Sequence, residues 1–200
     1  MLTKQVKTIK KCYLTMGDKT LELDYLGKGR FSEAWSNGSK AYIFTDTRKG
    51  DYSKEILADL TGHTKHLPDV ERVGYLDNSD VVLFAMPKYK MLRAKDKKAW
   101  EQFRAFQQAV KGAWRDTITK HQGKPDKWIT AYCGYDQGCK VADLLNAAGE
   151  VDLAQAVQYL ADSSANYGSG YWMEAAKRNC GVDSSGDLVL MDTLYDPSTF

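Results

Sequence analysis

Residues 1–26 alternate in strand fashion between lysine interruptions and end in Leu21-Glu22-Leu23-Asp24-Tyr25-Leu26. Asn37-Gly38 then marks a hairpin that feeds a strand over Lys40-Ala41-Tyr42-Ile43-Phe44-Thr45. Ser53 to Leu60 reads as a short amphipathic helix capped by Asp51 or Ser53. Two more strands follow, over Pro68–Tyr75 and Asp80–Met86. The second is a continuous apolar run, Val81 to Met86, broken by Pro87, as expected of a buried central strand leading into a hinge.

Beyond residue 87 the period changes. Ala99, Trp100, Phe103, Phe106, Val110, Ala113, Trp114 and Ile118 recur at helical spacing, which predicts one long amphipathic helix from Asp96 to about Lys120, ended by Gly123-Lys124-Pro125. Its aromatic stripe reads as core. Residues 126–140 show no clear period. Helices are expected over Cys139–Ala148 and Asp152–Ser164, the latter with Asp152 as N-cap. The pattern therefore divides the chain into a β-rich lobe with one helix, residues 1–86, and a mostly helical lobe, residues 87–200: an α+β protein.

Candidate chemistry sits near the C-terminus. Glu174 is followed five residues on by Asn179 and, thirteen beyond that, by Asp192. Ser184-Ser185-Gly186-Asp187 is turn chemistry between short strands over Cys180–Val182 and Leu188–Met191. Such a hairpin sets Asn179 beside Asp192, where hard oxygen ligands hold a divalent cation, and leaves Glu174 to work on a proton. Asp162 is the competing acid, but only Tyr167 stands five residues after it. A second stretch, Gly27-Lys28-Gly29-Arg30-Phe31-Ser32-Glu33-Ala34-Trp35, places two glycines after a strand and returns to apolar residues. A strand-turn-strand of this kind can lie over a polyphosphate, because glycine lets backbone N–H groups approach without a Cβ.

These two stretches together resemble the protein-kinase superfamily. Glu174 to Asn179 and then Asp192 is similar to the catalytic loop and metal aspartate, and Gly27 to Ala34 to the glycine-rich loop, in the expected order. Leu26 to Ala34, the Leu188-Val189-Leu190-Met191-Asp192 run and the Asp196-Pro197-Ser198-Thr199-Phe200 ending look most like the early protein kinases of short-tailed bacteriophages. The resemblance implies a bilobal kinase-like fold, a small antiparallel β lobe plus a truncated mostly helical lobe. It also implies ATP and Mg²⁺ as cofactors and Ser/Thr of host proteins as phosphoryl acceptors.

In that frame Glu174, Asn179 and Asp192 are catalytic, and Asn179 and Asp192 hold the metal. Gly27, Gly29, Phe31 and Ser32 cover the phosphates, Glu55 stands for the helix glutamate, and Met86 lies in the linker that meets the adenine. Three departures stand out: Glu174 replaces Asp, Thr193-Leu194 replaces Phe-Gly, and the phosphate lysine of the third strand falls by register on Phe44. Lys40, Arg48, Lys49 and Lys54 are the nearby cations. The chain ends eight residues after Asp192, without room for an activation segment. A catalytically impaired relative that binds and inhibits a host protein is the alternative, and an unrelated α+β binding domain with chance spacings is a third.

Composition narrows the setting. At 200 residues and 43% hydrophobic the chain can bury a core as one domain or two small lobes. A formal charge of +2 asks for neither nucleic acid nor an anionic membrane. No apolar run approaches a membrane span and the N-terminus lacks a signal-type region, so a cytosolic protein is expected. The four cysteines, Cys12, Cys133, Cys139 and Cys180, form no C-x-x-C pair and read as reduced structural thiols.

Overall fold

The computed structural model describes residues 2–8, 10–49, 52–120, 133–167 and 171–195, the first of these segments for its backbone only. The chain is α+β and divides into two compact units. One comprises residues 1–58 and 69–88, the other residues 59–68 and 89–200. The segment 59–68, read from the sequence as part of the first lobe, thus belongs with the second unit.

The first unit is built on a curled antiparallel sheet of seven strands: β1 (Leu2–Thr8), β2 (Lys11–Met16), β3 (Lys19–Lys28), β4 (Ser32–Ser36), β5 (Lys40–Asp46), β6 (Glu71–Tyr75) and β7 (Val81–Pro87). Their order is β1-β2-β3-β4-β5-β7-β6. Hairpin chemistry sets the register. Gly38 takes φ +100° between β4 and β5, a conformation that suits glycine, and the Asn37 side chain accepts from the N–H groups of Ser39 at 3.2 Å and Lys40 at 2.9 Å. One face buries Cys12, Leu14, Leu23, Trp35, Tyr42, Phe44, Leu83 and Ala85 as a single cluster.

β7 is buried from Val82 to Met86 and runs one residue past the expected break, to Pro87 opposite Lys40. Proline needs no N–H at this terminal position. Met86 is a strand residue paired with Ala41. Helix α1 (Ser53–Asp59) forms as predicted; its alternative cap, Asp51, lies outside the described residues.

In the second unit α2 (Lys97–Lys120), α3 (Gly134–Ala147) and α4 (Val151–Asn166) supply the core, α3 packing against both of the others. Ala99, Phe103, Phe106 and Ala113 face inward from α2, Val141 and Leu145 from α3, and Leu153, Val157 and Leu160 from α4. Each large side chain so buried contributes about 1.5–3 kcal/mol before entropy is counted. Close approach of α3 and α4 depends on Gly138, where a Cβ would stand 2.8 Å from that of Ala161.

Three helix expectations shift. α3 begins five residues before Cys139, inside the stretch without a period, because its first turn buries Gly134 and Gln137 instead of a run of large apolar residues. The N-cap of α4 is Glu150, not Asp152, which instead pairs with Lys65 at 2.7 Å. Trp114 and Ile118, read as core, stay 39% and 38% exposed, although Trp114 packs against Trp172 with ring centroids 4.5 Å apart and the rings tilted by 56°. The Gly123-Lys124-Pro125 stop and the 196–200 ending lie outside the described residues.

Two small antiparallel ladders complete this unit. β8 (Lys90–Met91), β10 (Cys180–Val182) and β11 (Leu188–Leu190) form one; β9 (Trp172–Met173) and β12 (Leu194–Tyr195) form the other. All four cysteines are free thiols; Cys12, Cys133 and Cys180 are buried. Burial pushes the Cys180 thiol up to about 12. Among the described residues no helix is long and apolar enough to cross a membrane.

Candidate functional site

Two strand pairs in the second unit bring the three candidate residues together. The β10–β11 hairpin turns through Gly186, at φ +81°, and through the Asp183 side chain, which accepts from the N–H groups of Ser185 and Asp187 at 2.9 and 2.8 Å. Where that ladder ends, the carbonyl of Asn179 accepts from the N–H groups of both Met191 and Asp192, at 2.9 and 3.2 Å. Where the β9–β12 ladder ends, the N–H of Glu174 donates to the carbonyl of Thr193 at 2.7 Å. Asp192-Thr193 is thus the junction of the two ladders, with Asn179 against one side and Glu174 against the other.

The side chains continue this convergence. Asn179 Nδ2 donates to Glu174 Oε2 at 3.2 Å, and the Arg178 guanidinium donates to Oε1 at 3.0 Å. Both carboxylate oxygens of Glu174 are therefore engaged, by an exposed arginine and by the amide. Because the nitrogen of Asn179 is turned to Glu174, its carbonyl oxygen is the atom left to accept elsewhere. The neighbouring Tyr195 phenol is pushed up by burial and, further, by the negative charge of Glu174. Asp162 lies on α4, bonded to Gln158 at 2.8 Å and Tyr135 at 3.4 Å, and takes no part.

With both Glu174 oxygens engaged, Asn179 and Asp192 bring one amide carbonyl and one carboxylate to this junction. Hard oxygens in that number fit Mg²⁺, which keeps several of its waters when bound by protein. They do not suit a thiophilic or imidazole-seeking metal; among the described residues no group of three or more His, Cys, Asp or Glu side chains is placed to hold a metal ion of any kind.

Sequence reasoning missed what supports the cluster. Gln137, fully buried on α3, accepts from the N–H of Met173 at 3.0 Å and donates to its carbonyl at 3.5 Å, holding β9 as a neighbouring strand would. It stands in the stretch without a period, so no pattern signalled it. Asp187, read only as a turn residue, is buried and charged.

In the first unit, Gly27 follows the bulge of the β3–β4 ladder, opposite Ala34, Lys28 opposite Glu33 ends that ladder, and Ser32 opens β4 opposite Thr45. The N–H of Gly29 donates to the Ser32 carbonyl at 2.8 Å and the Phe31 carbonyl accepts from Asp46 at 3.1 Å, so the turn is internally closed. Neither glycine has a positive φ. A Cβ at Gly27 would meet nothing within 4 Å, and one at Gly29 would only touch Ser32, at 3.6 Å. The chain's own packing thus gives no reason for glycine at either position.

The pairing of β4 with β5 fixes which face each β5 side chain takes. Ala34 pairs with Ile43 and Glu33 with Phe44, so alternation puts Ala41, Ile43 and Thr45 on the Ala34 face and Phe44 on the other, inside the Trp35 cluster. On the Phe44 side, Lys28, Arg30, Phe31 and Val81 border a cavity of about 250 Å³. No cation comes from β5 at the Ala34 face. The buried cation among the described residues is Lys54, on α1, with its Nζ 3.2 Å from Ser53 Oγ; Glu55 beside it is half-buried. Lys40 and Arg48 are exposed and paired with Glu71 and Asp46; the Lys49 side chain is outside the described residues.

No match to this chain is found among protein-family models, curated proteins or solved structures.

Proposed function

We propose that the chain is a phage kinase-like protein that transfers the γ-phosphoryl group of ATP to Ser or Thr hydroxyls of host proteins. The observation that carries this reading is the meeting of Glu174, Asn179 and Asp192 at one backbone junction, two acids and an amide on adjoining chain segments. Asn179 Oδ1 and the Asp192 carboxylate are the groups that hold Mg²⁺. Bound there, the cation neutralises charge on the phosphates, which is most of what this chemistry demands.

Glu174 orients the acceptor hydroxyl and takes its proton as the hydroxyl oxygen bonds to the γ-phosphorus and the bond to the β,γ-bridging oxygen breaks, releasing ADP. Arg178 and Asn179 fix the direction of that carboxylate. In the first unit, the bare backbone at Gly27 and Gly29 gives polyphosphate a surface without a Cβ, with Phe31 and Ser32 at the turn.

A second reading, a kinase-like protein that binds and inhibits a host protein without transfer, is favoured by two observations. β5 offers Ile43 instead of a cation, and the longer Glu174 has both oxygens already engaged. Misplacing a base by about 1 Å costs about a hundredfold in rate.

Calorimetric titration with ATP, with and without Mg²⁺, in wild type and in Asp192→Ala separates the cases. Magnesium-dependent micromolar binding lost in the variant supports the nucleotide site, and transfer of label from ATP to a protein acceptor then distinguishes the two readings. No heat at millimolar ATP overturns phosphoryl transfer.

A further inference from the structure

A heavily bonded acid of the second unit lies outside the junction. Asp187 is buried in the turn between β10 and β11, and its side chain is only 4% exposed. Lys98 donates to its Oδ2 at 2.8 Å and Gln102 to its Oδ1 at 3.1 Å, both from α2. Lys65, from the 59–68 segment, lies 3.8 Å from Oδ1 while also pairing with Asp152. The next residue repeats the attachment through its backbone: the Leu188 N–H donates to Gln102 Oε1 at 2.9 Å, and the Leu188 carbonyl accepts from His66 Nδ1 at 2.7 Å. Two residues later the Leu190 N–H donates to the His66 carbonyl at 2.8 Å.

A surface turn of Ser-Ser-Gly needs none of this; the Asp183 side chain already closes it. What the bonds fix is the whole β11 strand. That strand runs straight into Met191 and Asp192, whose N–H groups hang on the Asn179 carbonyl. β11 ends at Leu190, and Asp192 stands two residues further on, in a bend formed with Met191. A tilt of the strand at the Asp187 end is therefore passed to the Asp192 backbone held by the Asn179 carbonyl. We infer that Asp187 is a positioning residue for the Asn179–Asp192 pair, setting its cation affinity from the far end of the hairpin through Lys98, Gln102 and the 59–68 segment. The inference rests on the reading of that pair as the cation site.

Mn²⁺ binding to the full chain, followed by electron paramagnetic resonance, tests it in wild type, Asp187→Asn, Asp192→Ala and Asp152→Asn, at a temperature where thermal melts show each variant folded. Asp187→Asn keeps the shape and removes the charge, and should weaken Mn²⁺ about tenfold, the lower range for residues that orient a metal ligand. Asp152→Asn removes an acid from the same lysine without touching the hairpin, and should leave affinity within twofold.

If Asp187→Asn is too unstable to assay, Lys98→Met replaces it, with a loss of at least threefold expected. Asp187→Asn, or Lys98→Met in its stead, with unaltered Mn²⁺ affinity while Asp192→Ala abolishes binding overturns this inference alone. A lowered melting temperature with unchanged affinity does the same, since it marks a purely structural acid. Absent wild-type binding, or binding that survives Asp192→Ala, overturns the cation-site reading and this inference with it.

Discussion

Gly27→Ala and Gly29→Ala separate what the fold requires of the glycine turn from what a ligand requires. Both positions have ordinary backbone angles, and the added methyl meets nothing at Gly27 and only an ordinary contact, 3.6 Å from Ser32 Oγ, at Gly29. Alanine at a compatible position restricts the unfolded chain and stabilises by about 0.4–1 kcal/mol. For a chain of this size, about 2–4 °C of melting temperature accompany each kcal/mol, so each variant should melt about 1–4 °C higher than wild type. If polyphosphate lies against this backbone, the same methyl holds it off, and a tenfold loss of Mg-ATP affinity corresponds to about 1.4 kcal/mol.

Thermal melts and calorimetric titration on the same samples are the assay, and the expected signature is opposite in sign: stability up, affinity down. A fall in melting temperature at Gly27 refutes the local geometry, because no contact is available to produce it. A rise with unchanged affinity refutes the role of this turn in holding phosphate.

Further outcomes follow from individual contacts. Gly138→Ala forces a Cβ to 2.8 Å from that of Ala161, and should destabilise by about 1–3 kcal/mol in urea unfolding. Gln137→Leu strips both partners from the Met173 backbone and should cost about 1–3 kcal/mol, with loss of Mg-ATP binding below the melting transition. For Asp187, burial pushes the carboxyl up, but hydrogen bonds from Lys98 and Gln102 and the nearby lysine charges outweigh it, so its folded pKa lies below the unfolded value. Its stabilising contribution is then full above about pH 5 and lost as pH falls through the unfolded value near 4 toward the folded one. Urea midpoints between pH 6 and pH 3 should accordingly fall more steeply for wild type than for Asp187→Asn. With the Cys180 thiol at about 12, iodoacetamide at pH 8 should label half-exposed Cys139 well before Cys180, read by peptide mass.

Where a pattern is local, it was readable. The period of two gave β3, the Asn37-Gly38 hairpin signal gave β5, the helical period gave α2, and the turn chemistry at Ser184 to Asp187 gave the hairpin that seats Asp192 against Asn179. Three kinds of information were not local. Pairing register decides which face a side chain takes: the ladder that sets Ala34 opposite Ile43 turns Phe44 to the other face, into the Trp35 cluster. Helix α3 starts on glycines and glutamine, whose burial depends on neighbours distant in sequence, so no apolar stripe announced it. Asp187 and Gln137 look like polar surface residues until the chain surrounds them.

The path of the chain through its two units carries a consequence for taking the protein apart. Residues 1–58 fold with 69–88, and the ten residues between them belong with 89–200, so the polypeptide passes from one unit to the other three times. Within that interruption His66 and Leu67 are buried, and His66 is bonded on both sides to β11. A gene fragment ending at Lys88 would carry this interruption stripped of its strand partner, with Leu67 laid open to water. A fragment starting at Tyr89 would leave the carbonyl of Leu188 and the N–H of Leu190 unanswered. No single cut frees either unit intact, so loss of the second unit's fold exposes apolar residues in the middle of the first unit's sequence. Proteolysis should therefore proceed through both units together, without leaving a persistent half.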